Sequence, residues 1–541
     1  MSPARRYKIR CLLLVLLFFN LPIDLPSVEA TAREKTRPPG VAGSFYPADP
    51  KDLGRTVDDF LARVREPVVP GSLIALVSPH AGYPYSGPVA AYAYALLRGR
   101  KFSRVVVISP SHYDAFEFSS VYNGDAYSTP LGAIPVDKAF ASQLVAASPL
   151  IKFSDHGHGE VQGRWEHALE DELPFLQRVL GDFKLVPVVM GDQSYESSRA
   201  LGVALARGIL KDPRSSNGEF DTLIVASSDL SHYHPYEEAG VLDHKTLAAL
   251  EQWDYFNASK NFRQRVWEAC GGGGIVAAMI AAERLGANRA VVLRYANSGD
   301  VTDDKSRVVG YAAVALIKGT AANTPKVNDF KLGTREKREL MNIARKSVET
   351  AVLERKLYEC SSGGLPALAQ DRGAFVTLRK KGELRGCIGY VEPRKPLCLT
   401  VRDVAALAAL RDARFPPIAA SELRDLEFEI SVLSPLRRVT DWKQIRVGRD
   451  GLLVKKGEYE GLLLPEVATE EHWNRTTFLN QVCVKAGLAR RCWQDAGTDV
   501  FLFTVEAFGQ RRTMETLMPD AASGGSSRGM PDRPVPRLPP Q

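Results

Sequence analysis

Three short apolar runs in the N-terminal half of the chain each end in a polar, titratable cluster. Leu73–Ser78 runs into Pro79-His80-Ala81-Gly82-Tyr83, and Val105–Ser109 into Pro110-Ser111-His112-Tyr113. Leu223–Ala226 runs into Ser227-Ser228-Asp229-Leu230-Ser231-His232. Eight of the nine histidines fall between residues 80 and 244, and only His472 lies beyond them. Imidazoles and carboxylates gathered in this way can ligate a metal or carry protons. Neutral imidazoles with one anionic ligand and open positions suit non-haem Fe(II) or copper. Zinc accepts the same atoms, so ligand type alone does not choose the metal.

Cys270 is a further candidate. It precedes Gly271–Gly274 and the helical run Ile275–Leu285, which sets its thiol near a helix N-terminus, where peptide dipoles favour thiolate. A buried structural cysteine is the alternative on these residues alone. The glycines would let backbone approach a ligand closely, but no Lys-Ser/Thr follows them, so they form no phosphate loop. In Glu166-His167-Ala168-Leu169-Glu170 the i, i+3 spacing predicts His167 and Glu170 on one helical face. They would support the ligands, contact substrate, or form a solvated face. His156 and His158, in Asp155-His156-Gly157-His158-Gly159, read as the edge of a mobile lid rather than as a metal pair.

The elements that must position these groups follow from the pattern. The three runs, with Leu185–Val189 and Val291–Tyr295, are short and rich in β-branched residues. Between them lie helical patterns at Pro88–Leu97, His167–Leu180 and Ile275–Leu285. That succession predicts an α/β domain, a sheet with helices on both faces. Sites in such sheets form outside the carboxyl ends of the strands. Parallel, adjacent strands would therefore bring His80, His112, Asp229 and His232 into one cleft.

The linker-like stretch Gly319–Asn328 separates this body, residues 31–318, from a second one at 334–510, with the linker at 319–333. The second body mixes strands at Ala374–Leu378, Phe428–Leu433, Gly451–Lys455 and Val500–Val505 with helices at 334–357, 397–410 and 473–486, an α+β order. Its signature is Leu384-Arg385-Gly386-Cys387-Ile388-Gly389. Two glycines around a cysteine suggest a tight turn beside a strand, with Arg385 able to grip an anion bidentately; a structural turn with a half-buried thiol reads equally well.

The 541 residues carry 70 Lys+Arg against 63 Asp+Glu, with 45% hydrophobic and 25% charged residues, an ordinary globular composition. The net charge of +7 divides into −2 over residues 31–327, +5 over 328–510 and +2 at each end, which is no basic footprint of a nucleic-acid binder. Residues 1–30 have the form of an export signal or N-terminal anchor: Arg5, Arg6, Lys8 and Arg10 precede an apolar run from Cys11 to Phe19, and Val28-Glu29-Ala30 follows. This predicts an exported or periplasmic protein that meets the membrane only through its N-terminus, or a cytoplasmic one if translation starts further on. The six cysteines beyond Cys11 form no zinc framework and no dense disulfide scaffold, a usage closer to cytosolic proteins. Residues 511–541 have the composition of a disordered tail.

Val41-Ala42-Gly43-Ser44-Phe45-Tyr46, Pro79-His80-Ala81-Gly82-Tyr83, Pro110-Ser111-His112, Glu166-His167-x-x-Glu170-x-x-Leu173-Pro174, Ser227-Ser228-Asp229-x-x-His232 and Tyr295-Ala296-Asn297-Ser298 together resemble the Memo family, AmmeMemoRadiSam system protein B in prokaryotes. The resemblance implies a fold similar to the extradiol ring-cleaving dioxygenase class, whose members hold non-haem iron by two histidines and a glutamate. It further implies His80, His112 and Cys270 as metal ligands, with Asp229 and His232 lining the pocket. Cysteine in place of the carboxylate is a departure from the dioxygenases. Glu172 is another, because the family often carries an uncharged Gln or a His there. In the second body, Arg385-Gly386-Cys387-Ile388-Gly389, Ala409-Leu410-Arg411-Asp412-Ala413-Arg414-Phe415-Pro416-Pro417 and Gly461–Val467 resemble the AMME-chromosomal-region family, AmmeMemoRadiSam system protein A. Both families imply a radical S-adenosylmethionine protein as partner and an unidentified small-molecule substrate. No Cys-x-x-x-Cys-x-x-Cys cluster motif occurs in this chain, so that partner would be another protein. These readings lead to a metal-dependent redox or oxygen-handling enzyme in which His232 would act as acid/base and Asp229 would orient it or the substrate. The alternatives are a metal-buffering protein with an interaction module, and nucleotide or RNA binding through Arg385.

Overall fold

The computed structural model describes residues 34–65, 69–212, 220–319 and 331–509; the expected export segment and tail lie outside them. Nine strands form the sheet of the first body. They include β1 (Ser72–Ser78), β2 (Arg104–Pro110), β3 (Ser119–Val121), β4 (Ile151–Phe153), β5 (Lys184–Met190), β6 (Thr222–Ser227), β7 (His232–His234), β8 (Arg289–Asn297) and β9 (Val308–Lys318). Their order is β7-β9-β1-β6-β2-β5-β3-β4, with β8 paired to β9. The central strands β1, β6, β2 and β5 are mutually parallel. They are almost wholly buried, as strands covered on both faces must be, which is why they read as unbroken Val/Ile/Leu runs.

Helices cover the two faces. One face carries α1 (Pro50–Ala62), α2 (Tyr83–Ala95) and α3 (Leu173–Leu180); the other carries α4 (Tyr195–Lys211), α5 (Tyr236–Glu251), α6 (Tyr255–Arg263) and α7 (Gly272–Arg284). The run expected as a helix over His167–Leu180 begins later, with a tight turn at Glu170–Glu172 and then α3. Pro174 fits the first turn of α3, where a missing N–H costs nothing, and His167 is left on the preceding loop.

The second body contains a seven-stranded antiparallel sheet, β11-β10-β12-β15-β13-β14, with a two-residue strand beside β15. The strands are β10 (Ala374–Lys380), β11 (Glu383–Tyr390), β12 (Leu426–Leu433), β13 (Asp450–Lys456), β14 (Tyr459–Leu463) and β15 (Asp499–Gly509). Its principal helices are α8 (Thr334–Glu354), α9 (Leu397–Leu410) and α10 (Arg475–Lys485). A disulfide joins Cys483 to Cys492. Among the described residues no helix is long and apolar enough to cross a membrane.

The two bodies are not separately packed. One hydrophobic cluster runs from Tyr195 and Phe256 of the first into Leu433, Leu436, Phe501 and Phe503 of the second, with the rings of Phe256 and Phe501 4.7 Å apart. Ion pairs border it. Asp499, 3% exposed, accepts from Tyr195 Oη (2.8 Å), Arg199 Nε (2.6 Å) and Arg284 (3.3 Å). Lys260 reaches both Glu392 and Glu460. A cavity of about 730 Å³ lies along this seam, away from the histidine cluster, and its Asp371 is engaged by Trp267 and Lys245.

Candidate metal centre

The strand order β1-β6-β2 puts three carboxyl ends side by side, and the groups that follow them meet. The rings of His80 and His112 lie 5.3 Å apart edge-on, and His112 stacks on His167 at 4.6 Å. One ring nitrogen from each of His80, His112 and His167 lies within 4.8 Å of the others. Cys270 Sγ stands 3.2 Å from His80 Nε2. Four side chains therefore converge.

The far side of each ring explains the convergence. His80 Nδ1 lies 2.7 Å from Ser227 Oγ, and Ser227 Oγ donates onward to Ala168 O or Glu172. His80 therefore carries its proton on Nδ1 and turns the Nε2 lone pair to the centre. His112 Nδ1 bonds Glu166 Oε1 at 2.9 Å, while Glu166 Oε2 accepts the His112 backbone N–H at 2.6 Å, so one carboxylate fixes both backbone and ring. Partners of this kind orient metal-ligating imidazoles and set their tautomers. The Nδ1 of His167 is buried without a hydrogen bond, 3.8 Å from Glu166 Oε1, and its ring rests on Phe45 at 4.4 Å.

Cys270 is placed by backbone. Its N–H donates to Asp229 O, and its sulfur accepts the Asp229 N–H at 3.2 Å. A Cβ on Gly271 would stand 2.2 Å from Ser227 O, so this glycine lets the start of α7 press against the end of β6. The close approach of Gly271 is to the sheet.

Electrostatics divide the groups. Burial disfavours the His112 imidazolium, but Cys270 and Glu166 outweigh it and push the ring up to about 10. Burial holds His80 well below its ordinary value and brings His167 down to about 4. Burial also pushes the Cys270 thiol up, His112 pulling the other way, so the helix N-terminus does not by itself yield the expected thiolate. Glu172 is pushed up to about 7 by burial, and Tyr94 Oη and Ser227 Oγ lie against it. A neutral Glu172 can donate as well as accept.

Several expected roles change. Asp229, pushed up to about 7 by burial, accepts the His80 backbone N–H at 2.9 Å and does not hold His232. His232 instead sets its Nδ1 against Leu230 O at 2.8 Å and takes a Glu268 oxygen on its own N–H. Burial keeps the His232 ring neutral, with Nε2 as acceptor. His167 and Glu170 do not share a face. Glu170 is fully buried and gathers Arg37, Tyr46 and the N–H groups of Gly40 and Val41, which ties the segment before α1 to the wall of the cleft. His158 is no lid: it is 2% exposed, between Tyr127 Oη and Ser120 O. His156 pairs with Asp114. Glu166 and Ser227 were quoted in the sequence motifs without a role, because their partners are brought to them only by strand order.

The second signature forms no turn. Arg385–Gly389 lies inside β11, and the turn falls at Lys381–Gly382, where φ is positive. A Cβ on Gly386 would stand 2.3 Å from Ala408 O, and one on Gly389 2.2 Å from the Phe375 ring. Both glycines serve packing. Arg385 does grip a carboxylate bidentately, that of Glu422 at 3.2 and 3.0 Å, and also caps Pro416 O. Asp412 accepts the Cys387 N–H and Arg414 donates to the Cys387 carbonyl, so the free edge of β11 is closed by side chains.

The strand ends of the first sheet thus gather imidazoles and a thiol, and the comparisons supply the family. The Memo-like protein family matches residues 37–315 and AMMECR1 matches residues 341–508. A MEMO1 family protein of Aeropyrum pernix is 38% identical over 295 residues, covering 52% of this chain and 100% of that protein. One of Methanobrevibacter smithii is 35% identical over 288 residues, covering 51% and 98%. A crystal structure of an uncharacterized protein, PH0010 from Pyrococcus horikoshii, shares 38% identity over 34% of this chain and 94% of that chain, at a TM-score of 0.31. The chain belongs to the Memo-like family, fused to an AMMECR1 domain.

Proposed function

We propose that the first domain holds a redox-active metal, Fe(II) or copper, between His80, His112 and Cys270, and acts with it on a small-molecule substrate. His167, with a ring nitrogen within 4.8 Å of those of His80 and His112, would be the fourth donor. One observation carries the reading: both imidazoles are fixed from behind, by Ser227 and Glu166, with their other nitrogens turned toward one another and toward the Cys270 sulfur. Two imidazoles and one thiol suit copper, iron or zinc. When bound, iron or copper would supply electron transfer and polarisation of an oxygen-bearing group.

The remaining steps fall to the chain. His232, neutral and with Nε2 free, would take or return a proton at the cleft. Asp229 would hold the His80 backbone and not touch substrate. Taking up the metal would displace a proton from His112 and from Cys270. A radical S-adenosylmethionine partner follows from family association. An export segment would keep this chain from a cytosolic partner, so the two proposals compete. Occupation of Arg385 by Glu422 speaks against nucleotide or RNA binding through that residue.

Elemental analysis of the full chain, purified anaerobically, tests the metal. The expected result is near-stoichiometric iron or copper that is absent from the His80→Ala protein. Equal metal in both would overturn the ligand assignment. Oxidation of the reduced metal by dioxygen would support redox work over metal storage.

A further inference from the structure

The second domain holds two further cysteines that the metal centre does not use. Cys398 is buried in the first turn of α9, among the apolar side chains that join α8, α9 and the sheet. Cys360 lies on the irregular segment between α8 and the short helix at Pro366–Ala369, half-exposed and packed against the same cluster. Cys360 Sγ lies 3.5 Å from the Cys398 carbonyl oxygen, which sets the two cysteine side chains next to each other in the same cluster. The pair therefore combines one thiol that a reagent can reach with one that is held back, beside it, at a helix N-terminus. The second domain already carries one disulfide, Cys483–Cys492, elsewhere in its fold.

We propose that Cys360 and Cys398 form a thiol pair that closes to a second disulfide by exchange with a low-molecular-weight disulfide. The Cys360 thiolate attacks the reagent's S–S bond, forms a mixed disulfide and releases one thiolate. Cys398 then attacks Cys360 Sγ, closes the protein bond and expels the second. Both cysteine sulfurs are oxidised, the reagent is reduced to two thiols, and the two cysteine protons end on them. Burial assigns the order: Cys360, partly exposed, meets the reagent, and Cys398, 3% exposed, is left to resolve the mixed disulfide. The consequence is local. The bond would pin the segment that carries Arg355, Lys356 and Leu357 to the start of α9. Those residues wall a cavity of about 630 Å³ that Tyr390 and Arg411 also line.

The test uses the full chain in glutathione buffers of increasing oxidised fraction, quenched with a maleimide and mapped by peptide mass spectrometry. The expected result is concerted loss of the Cys360 and Cys398 adducts, with a cross-linked peptide pair lighter by two hydrogens. Cys387 should remain alkylated throughout. In Cys398→Ser, Cys360 should accumulate the glutathione adduct that the parent resolves. The proposal is overturned if both thiols stay alkylated in the most oxidising buffer. It fails equally if a glutathione adduct persists at Cys360 in the parent, or if Cys360 links to another cysteine. The parent readouts do not depend on the variant folding.

Discussion

Two motif-rich strips of this chain look alike in sequence and differ in what their polar atoms do. At the carboxyl ends of β1, β6 and β2, the side chains are held from behind, and their reactive atoms face one another. Along β11, the Arg385, Cys387 and flanking polar groups are spent on the chain itself, on Glu422, Asp412, Arg414 and the carbonyl of Pro416. The first arrangement leaves donors for a ligand, whereas the second closes a sheet edge. A motif of glycine, cysteine and arginine is thus no site until its hydrogen bonds have been traced.

The contrast can be tested by breaking each strip and the seam between them. The largest effect should come from the seam. Asp499→Ala removes a buried carboxylate shared by Arg199, Arg284 and Tyr195, and should lower stability by about 3–5 kcal/mol in denaturant titrations. Because one core spans both domains, they should unfold in a single transition, and two resolved transitions would count against that. Glu166→Gln comes next. It weakens the hold on His112 Nδ1 and should reduce metal affinity about 10–100-fold while leaving the fold intact. Arg385→Ala should do the reverse, costing about 1–3 kcal/mol of stability and leaving metal content unchanged.

The smallest effect is a pH slope. His112 is raised in the folded metal-free protein to about 10, above its ordinary 6.5. The folded state therefore binds the extra proton, and its contribution to stability is fully present below pH 6.5 and is lost as pH rises toward 10. The buried His80 and His167 act oppositely, but only below 6.5. Stability of the metal-free protein should thus fall between pH 7 and 10, and His112→Ala should flatten that slope. Metal affinity should rise over the same range, since binding removes the proton.

Much of this was legible in the sequence. The central strands announced themselves because burial on both faces demands unbroken apolar runs, and their polar ends marked the cleft. The families followed from the motifs. What the sequence could not give was pairing across the fold. Ser227 behind His80, Glu166 behind His112 and Asp229 on the His80 backbone depend on which strands are neighbours. The helix expected through His167 starts later because Pro174 suits a first turn. The Arg385–Gly389 strip read as a turn because its glycines were taken for backbone freedom, when they answer to Ala408 and Phe375 across the packing. The sparse cysteines gave no sign that Cys483 and Cys492 would meet, since a helix end and a tight turn bring them together.

The central claim is that His80, His112 and Cys270 share one metal. X-ray absorption on the metal-loaded full chain, beside Cys270→Ser loaded the same way, tests it most directly. The account predicts one sulfur at about 2.3 Å, the distance typical of a metal–thiolate bond, together with imidazole scattering, and loss of the sulfur shell in the variant. A metal bound by nitrogen and oxygen alone in the parent, or a sulfur shell that survives in Cys270→Ser, would contradict it.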